Sequence, residues 1–351
     1  MIAGLDLNLA MELVLLGMLV VLAGAIAYTR KLLAAVVLMG VYSLVSTVWL
    51  VLMDAPDVAF TEAVVGAGVS TIVLLGAMLL ARGESEKHGQ ARMIAPALLA
   101  VGVGGVLVYA ALGLPDFGNP SSPANAYVGR AYLEQATSHT GAANVVTAVL
   151  ASYRGFDTLG ETAVIFAAGV GVALLLGFVE RSPGRLSASA EEHHVVLRVT
   201  AKLLIPVIAL YAFYVQFHGE ISPGGGFQAG VILAVAVILH ALAFGLGETM
   251  KALPAGLVRG CAALGVLVYA GLGVVSIANG GGFLDYDHLL PRDIEAQIPA
   301  WLLGPGNHHW GQFAGIFGIE LGVLLTVAAT MVTLFYSFAG RAASTVRGVR
   351  R

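Results

Sequence analysis

Cysteine is nearly missing from this chain: Cys261 stands alone among 351 residues, inside an apolar run. One cysteine excludes an internal disulfide, a CxxC redox pair and a cysteine-ligated iron–sulfur cluster, so no redox centre is expected here. Charge is also scarce. Asp, Glu, Lys and Arg make up 11% of the residues, where soluble domains carry roughly 25%. The formal net charge is -3, and no basic patch with interleaved aromatics occurs, so nucleic acid is excluded as an expected partner. Walker loops, a GxGxxG on a strand and Ser-His-Asp arrangements are missing too, which removes the usual pockets for soluble substrates. The pairs "EEHH" (191–194) and "HH" (308–309) lack ligand spacing around them and read as solvated loops, so no metal site and no cofactor are expected.

What the chain has instead is apolar length. Hydrophobic residues reach 58% and the mean hydropathy is +0.88. A bilayer crossing needs about 20 apolar residues. Such runs fall near 10–29, 32–53, 58–81, 93–113, 158–180, 199–217, 225–247, 255–278 and 311–338. The reading is an all-α integral membrane protein of about nine transmembrane helices. The N-terminus, "MIAGLDLNLAMELVLLG", has no positive n-region and reads as a first span, not a cleaved signal. Basic residues alternate between connections: Arg30 and Lys31, then Arg82, Lys87 and Arg92, then Arg181, Arg185 and Arg198, then Lys251 and Arg259, then Arg341, Arg347, Arg350 and Arg351. The other connections are poor in Lys and Arg, which predicts an outside N-terminus and a cytoplasmic C-terminus.

Two long connections lie on the predicted outer side. "LPDFGNPSSPANAYVG" carries turn chemistry throughout. In the following "NVVTAVLASYRGF", Val145, Val146, Val149 and Leu150 have helical spacing, which predicts a short amphipathic helix in the membrane interface. The segment 279–310 reads as an ordered cap.

Ionisable groups inside the runs are the candidate functional residues, because a charge at membrane depth is costly. Glu62 and Glu161 each follow an acid, Asp57 and Asp157, at the head of a small-residue helix. Asp57 and Asp157 suit N-terminal capping; one turn deeper, Glu62 and Glu161 are ion-handling candidates. Glu320 falls about ten residues into its run, near mid-bilayer at 1.5 Å per residue. It is either a relay carboxyl or a neutral, hydrogen-bonded structural one. Gly315, Gly318 and Gly322 around it allow a close neighbour helix. Lys202 suits snorkelling and His240 suits packing in a helix interior; both are weaker ion-path candidates. Gly66 and Gly68 permit either close packing or a π-bulge, with packing the simpler reading.

The least ordinary stretch is "HGEISPGGGFQAG", residues 218–230. His218, Glu220, Pro223, three consecutive glycines (Gly224, Gly225, Gly226), Phe227 and Gln228 interrupt two apolar runs. Three glycines allow backbone conformations closed to other residues. This is either a tight interfacial connection or a folded-in turn whose His218 and Glu220 meet an ion entrance or a partner helix.

"FHGEISPGGGFQAGVILA" resembles the B subunit of Mrp-type multisubunit Na+/H+ antiporters. "DAPDVAFTEAVVGAGVSTIVLLGAM" is similar to the C-terminal part of the large A-type antiporter protein, also found as the D-type component of membrane-bound hydrogenases. "NVVTAVLASYRGFDTLGETAVIFAA" resembles the neighbouring E-type module. The resemblance implies three modules in one chain: 1–92 D-type with three helices, 93–194 E-type with two, and 195–351 B-like with four. It further implies a plasma-membrane subunit of a cation/proton antiporter that moves Na+ against H+. Its partners would be A-, C-, D-, E-, F- and G-type subunits in the lipid bilayer. The large antiporter-like portion of the A-type protein is not represented in the chain, so exchange by this chain alone is not expected. A membrane-bound hydrogenase or a related complex I-like oxidoreductase is the alternative setting.

Overall fold

The computed structural model describes residues 7–78, 90–116, 118–177, 195–290 and 310–348. Among the described residues, nine helices are long and apolar enough to cross a membrane, and the assigned elements are helical throughout. The first three spans are α1 (Leu7–Tyr28), α2 (Leu32–Leu52), and a composite of α3 (Pro56–Glu62), a π-helical stretch Ala63–Ser70 and α4 (Thr71–Met78). Pro56 starts α3, where its missing N–H costs nothing. The π stretch and close packing occur together: a Cβ on Gly66 would stand 2.5 Å from Ser43 Oγ of α2 and 2.6 Å from Glu62 Oε1, whereas Gly68 meets only Ala63 O at 3.6 Å.

After α5 (Gln90–Ala111), the connection that follows holds more helix than its turn-rich sequence predicts. A π-helical turn, Ala124–Gly129, runs into α6 (Arg130–Thr140), which ends on Gly141 at φ 75°. Its polar surface gives no apolar periodicity to read. α6 is held by the buried Ala136 in the core, by His139 Nδ1 to Tyr153 Oη at 2.8 Å and by Tyr132 against the Tyr153 ring.

The predicted amphipathic segment is helical but does not lie free in the interface. Asn144 caps α7 (Val145–Thr147), its Oδ1 accepting from Val146 N and Thr147 N, and a π-helical turn Ala148–Tyr153 follows. Ala148 and Ala151 are buried and Val145 packs on the core. The short side chains of this face let it dock on protein.

The remaining spans are α8 (Gly155–Leu176), α9 (Val195–His218), α10 (Gly226–Phe244) and α12 (Ala255–Ala278), the last two joined through the short α11 (Leu246–Ala252), and finally α13 (Trp310–Gly348). α13 is the axis of the core. α10 and α12 pack along it, and α8 joins them. Gly311 and Gly315 accept Tyr286, Gly318 accepts Leu272, and Gly322 lies against Gly265 O and Tyr269, so the glycines around Glu320 do admit close neighbours. In the expected cap segment after α12, Asn279 Nδ2 donates to His288 O and Leu289 O. The rest of that cap from 291 to 309, the EEHH stretch and the loop cations Arg82, Lys87, Arg181 and Arg185 lie outside the described residues.

Candidate ion site at the glycine turn

Gly225 adopts φ 109°, a left-handed conformation that strains any residue with a Cβ. Its N–H donates to Val215 O at 3.2 Å, folding the turn back on the end of α9. Gly226 comes next, and a Cβ there would overlap the carbonyl oxygen of Glu320. The turn is therefore pressed onto the first third of α13, about 15 Å along its axis from Trp310. The folded-in turn is what the structure contains.

That approach closes one side of a cavity of about 260 Å³. Asp57 and Thr61 of α3 line it, with Thr147 and Leu150 beyond Asn144, Thr158 and Glu161 of α8, Gly224 to Gln228, and Glu320 of α13. Three carboxyl groups from three parts of the chain thus face one space, and among the described residues no Lys or Arg lines it. They surround this space without converging: among the described residues no three His, Cys, Asp or Glu side chains cluster at metal-holding distance. Such a chamber suits a mobile, partly hydrated cation or a proton. Glu320 is 8% exposed and its Oε2 is buried without a hydrogen-bond partner. Glu161 is exposed on the open flank of the cavity.

Asn144, a residue without charge and so no candidate on sequence grounds, ties the walls together. Its Nδ2 donates to Asp57 Oδ1 at 2.9 Å, and its backbone N donates to Glu220 O at 2.9 Å, while Oδ1 caps α7. Thr147 Oγ1 donates to Gly219 O at 2.7 Å. Gln228 Nε2 donates to Thr61 Oγ1 at 2.8 Å, which donates on to Asp57 O at 3.0 Å. Two buried tyrosines clamp the far side, Tyr269 Oη donating to Gly155 O and Tyr286 Oη to Ala151 O. An Asn just before a helical apolar run is an N-cap signal; its bond to Asp57, 87 positions away, has no sequence signature.

The structure splits the other candidates. Glu220 is half-buried in the turn, and burial pushes its carboxyl up to about 7. Phe227 packs against the core. Pro223 is half-buried in the same turn. His218 sits beside the turn with its ring stacked on Tyr214 and does not line the cavity. Glu62 faces Ser43 at the π stretch, apart from the cavity. Asp157 pairs with Arg154 at 2.6 Å on the surface and makes no helix-capping side-chain bond. Lys202 is exposed on α9. His240 bonds Thr249 Oγ1 of α11 at 2.7 Å. None of these last three lines the cavity.

Comparison with known proteins follows the same three-part division. Residues 196–333 match the family described as a domain related to the MnhB subunit of Na+/H+ antiporter; 17–82 match the family of the MBH D-type subunits, and 91–192 that of the MBH E-type subunits. The antiporter protein mnhB2 of Staphylococcus haemolyticus (strain JCSC1435) is 33% identical over 150 residues, which is 43% of this chain and 97% of the relative. The chain belongs to the MnhB-related antiporter-subunit family. In this family member the MnhB-related part is fused behind D- and E-type parts. A K+/H+ antiporter protein of the combined A/B type, from Rhizobium meliloti (strain 1021), is 29% identical over 335 residues, covering 86% of this chain. The chain spans 32% of that relative's length. A chain in the structure of the Mrp complex from Dietzia sp. DQ12-45-1b superposes with a TM-score of 0.73 at 26% identity, over 93% of this chain and 34% of that one.

Proposed function

We propose that this chain is a membrane subunit of a multisubunit cation/proton antiporter and that the cavity at the glycine turn is part of its ion path. The observation that carries the reading is the meeting of Asp57, Glu161 and Glu320 on one chamber that no Lys or Arg lines among the described residues. The family relatives supply the ions to test first, Na+ and K+, each against H+. Glu161 supports a partnered state. It is exposed within an apolar span, and a carboxyl turned toward lipid is costly, so a neighbouring subunit of the A-, C-, D-, E-, F- or G-type covers that flank. The alternating Arg and Lys content of the connections supports an outside N-terminus in the plasma membrane.

The test is ΔpH-driven Na+ and K+ exchange in vesicles carrying the whole complex, native against Glu161→Gln, with assembly checked by co-purification. A loss of about tenfold or more, some 1.4 kcal/mol on the ion's barrier, is expected with assembly kept. Unchanged exchange in an assembled Glu161→Gln complex overturns the reading. The D- and E-type matches to MBH subunits support a second setting, an energy-converting oxidoreductase complex. Soluble redox subunits co-purifying with the chain would select it.

A further inference from the structure

A second cavity, of about 220 Å³, lies between α8, α12 and α13 and shares no lining residue with the cation chamber. Gly169, Val170 and Ala173 line it from α8, Arg259 from α12 and Thr330 from α13. Thr330 lies about 15 Å beyond Glu320 along α13, so the groove belongs to the end of the bundle away from the glycine turn. Gly169 makes room for Thr330: a Cβ on that glycine would stand 2.7 Å from Thr330 Cγ2. Val170 is exposed, so the groove opens through the surface of α8.

Two polar groups stand out in these apolar walls. Thr330 is 3% exposed, and its hydroxyl has no hydrogen-bond partner. The threonines on either side of it in α13 are satisfied: Thr326 Oγ1 donates to Ala262 O at 3.2 Å and Thr333 Oγ1 to Ala329 O at 2.8 Å. A buried hydroxyl is rarely left without a partner, so Thr330 offers an unused donor to the cavity it lines. Arg259 is the second group. It stands in the second turn of α12, about 6 Å from that helix's start. α12 has 24 residues, about 36 Å of helix against a hydrocarbon core of about 30 Å. A half-buried arginine at that depth brings its guanidinium to headgroup level while its stem lies along the apolar wall. Among the described residues no Asp or Glu lines the groove. Arg341 of α13, which donates to Leu176 O at the end of α8, adds positive charge at the same end of the bundle.

A guanidinium at the rim, an unused hydroxyl inside and an apolar trough match the parts of a phospholipid. We propose that this groove binds a phospholipid of net negative headgroup: its phosphodiester on Arg259, an ester carbonyl accepting from Thr330, and an acyl chain along Phe166, Val170 and Ala173. Arginine offers paired N–H donors that suit a phosphate, and basic pockets between spans hold anionic headgroups. A zwitterionic lipid would bring an ammonium to a rim where no acid receives it, which selects the anionic class. The chain of such a lipid covers the seam between α8, in the E-type part, and α12 and α13 of the MnhB-related part. The lipid thereby joins two of the three family parts.

The experiment uses the intact complex, purified, stripped of lipid in detergent, and titrated with phosphatidylglycerol, phosphatidylcholine or inorganic phosphate. Bound lipid is counted by mass spectrometry, and thermal unfolding is recorded in parallel. The native complex is expected to bind phosphatidylglycerol about tenfold more tightly than phosphatidylcholine and to melt higher with it. Arg259→Gln lowers that affinity about tenfold or more, and Arg259→Lys recovers part of it. Thr330→Val, which keeps the volume, lowers it about two- to tenfold. Val170→Trp plugs the mouth and holds one phosphatidylglycerol fewer per complex; it takes the place of Arg259→Gln should that variant fail to assemble. Lys251→Gln, at an exposed cation paired with Glu248, leaves the affinity unchanged and so separates the groove from general surface charge. Equal phosphatidylglycerol binding by the native, Arg259→Gln and Val170→Trp complexes overturns the site. So does equal affinity for the two lipids, or a melting shift that inorganic phosphate reproduces. Loss of another subunit from the Val170→Trp complex, with its lipid count unchanged, assigns the groove to a protein neighbour and overturns the lipid.

Discussion

α5 and α13 are nearly equal in hydropathy over their most apolar 18 residues, 2.1 and 2.0. About two thirds of that window is buried in α13 and none in α5. The bilayer accounts for the likeness, because any spanning helix must satisfy its backbone internally and present apolar side chains. Packing accounts for the difference. Lipid gives helices little reason to associate, so close approach depends on small residues that fit a partner. Gly102, Gly104 and Gly105 of α5 have nothing within 4 Å of a notional Cβ, while Gly226 and Gly230 of α10 press on the backbone of α13. Glycine enrichment alone is therefore no measure of a helix contact; the partner surface decides.

Substitutions at these glycines test the contrast most directly. Gly226→Val places a branched side chain against the Glu320 carbonyl, and backbone has little room to yield. A loss of about 3 kcal/mol or more is expected, read as collapse of the folded fraction in detergent; native-like melting would show that the turn can lift from α13 at little cost. Asn144→Ala comes next. It removes a helix cap and strands Asp57 without its amide donor, and a loss of about 1–3 kcal/mol is expected. Asn144→Asp keeps the cap but sets a second acid against Asp57 and should rescue only part of it, as thermal unfolding of the complex would record.

Glu220→Gln gives a smaller, pH-dependent effect. The Glu220 carboxyl stands near 7 against an ordinary 4.5, so between those values the folded chain holds a proton that the unfolded chain has released. Stability contributed by this group is present below about 4.5 and falls as pH rises toward 7. Glutamine should flatten that slope, visible in melting curves taken across the window. Gly104→Ala in α5 closes the series with a change within about 0.5 kcal/mol. If instead it prevents co-purification with other subunits while the isolated chain melts normally, α5 is a partner-facing helix, and its bareness marks an interface.

Much of the site could be read along the chain. Glu161, Glu320 and the glycine turn stood out because charge and backbone freedom are expensive in an apolar run; Asp57 read only as a helix-capping acid, and the structure sets it on the same cavity as the others. Glu62, chosen by the same logic, went elsewhere: the π stretch after it and Gly66 turn its side chain toward Ser43 of α2. His218, Lys202 and His240 show the same limit, since an ionisable residue in a span can equally be satisfied by a stacked ring, an exposed face or a neighbouring hydroxyl. α6 was illegible for the opposite reason. A polar helix pinned by a few aromatic and hydrogen-bonding contacts carries no periodic apolar signal.

The sequence by itself determined that this is a multi-pass helical membrane protein built from three family parts, because span length, hydropathy and short motifs are local properties that the bilayer enforces. Tertiary structure alone decided which acids meet, that Asn144 binds Asp57 and Glu220, and that the turn lies on Glu320. Those depend on which small faces fit against which, and that complementarity is written on no single segment.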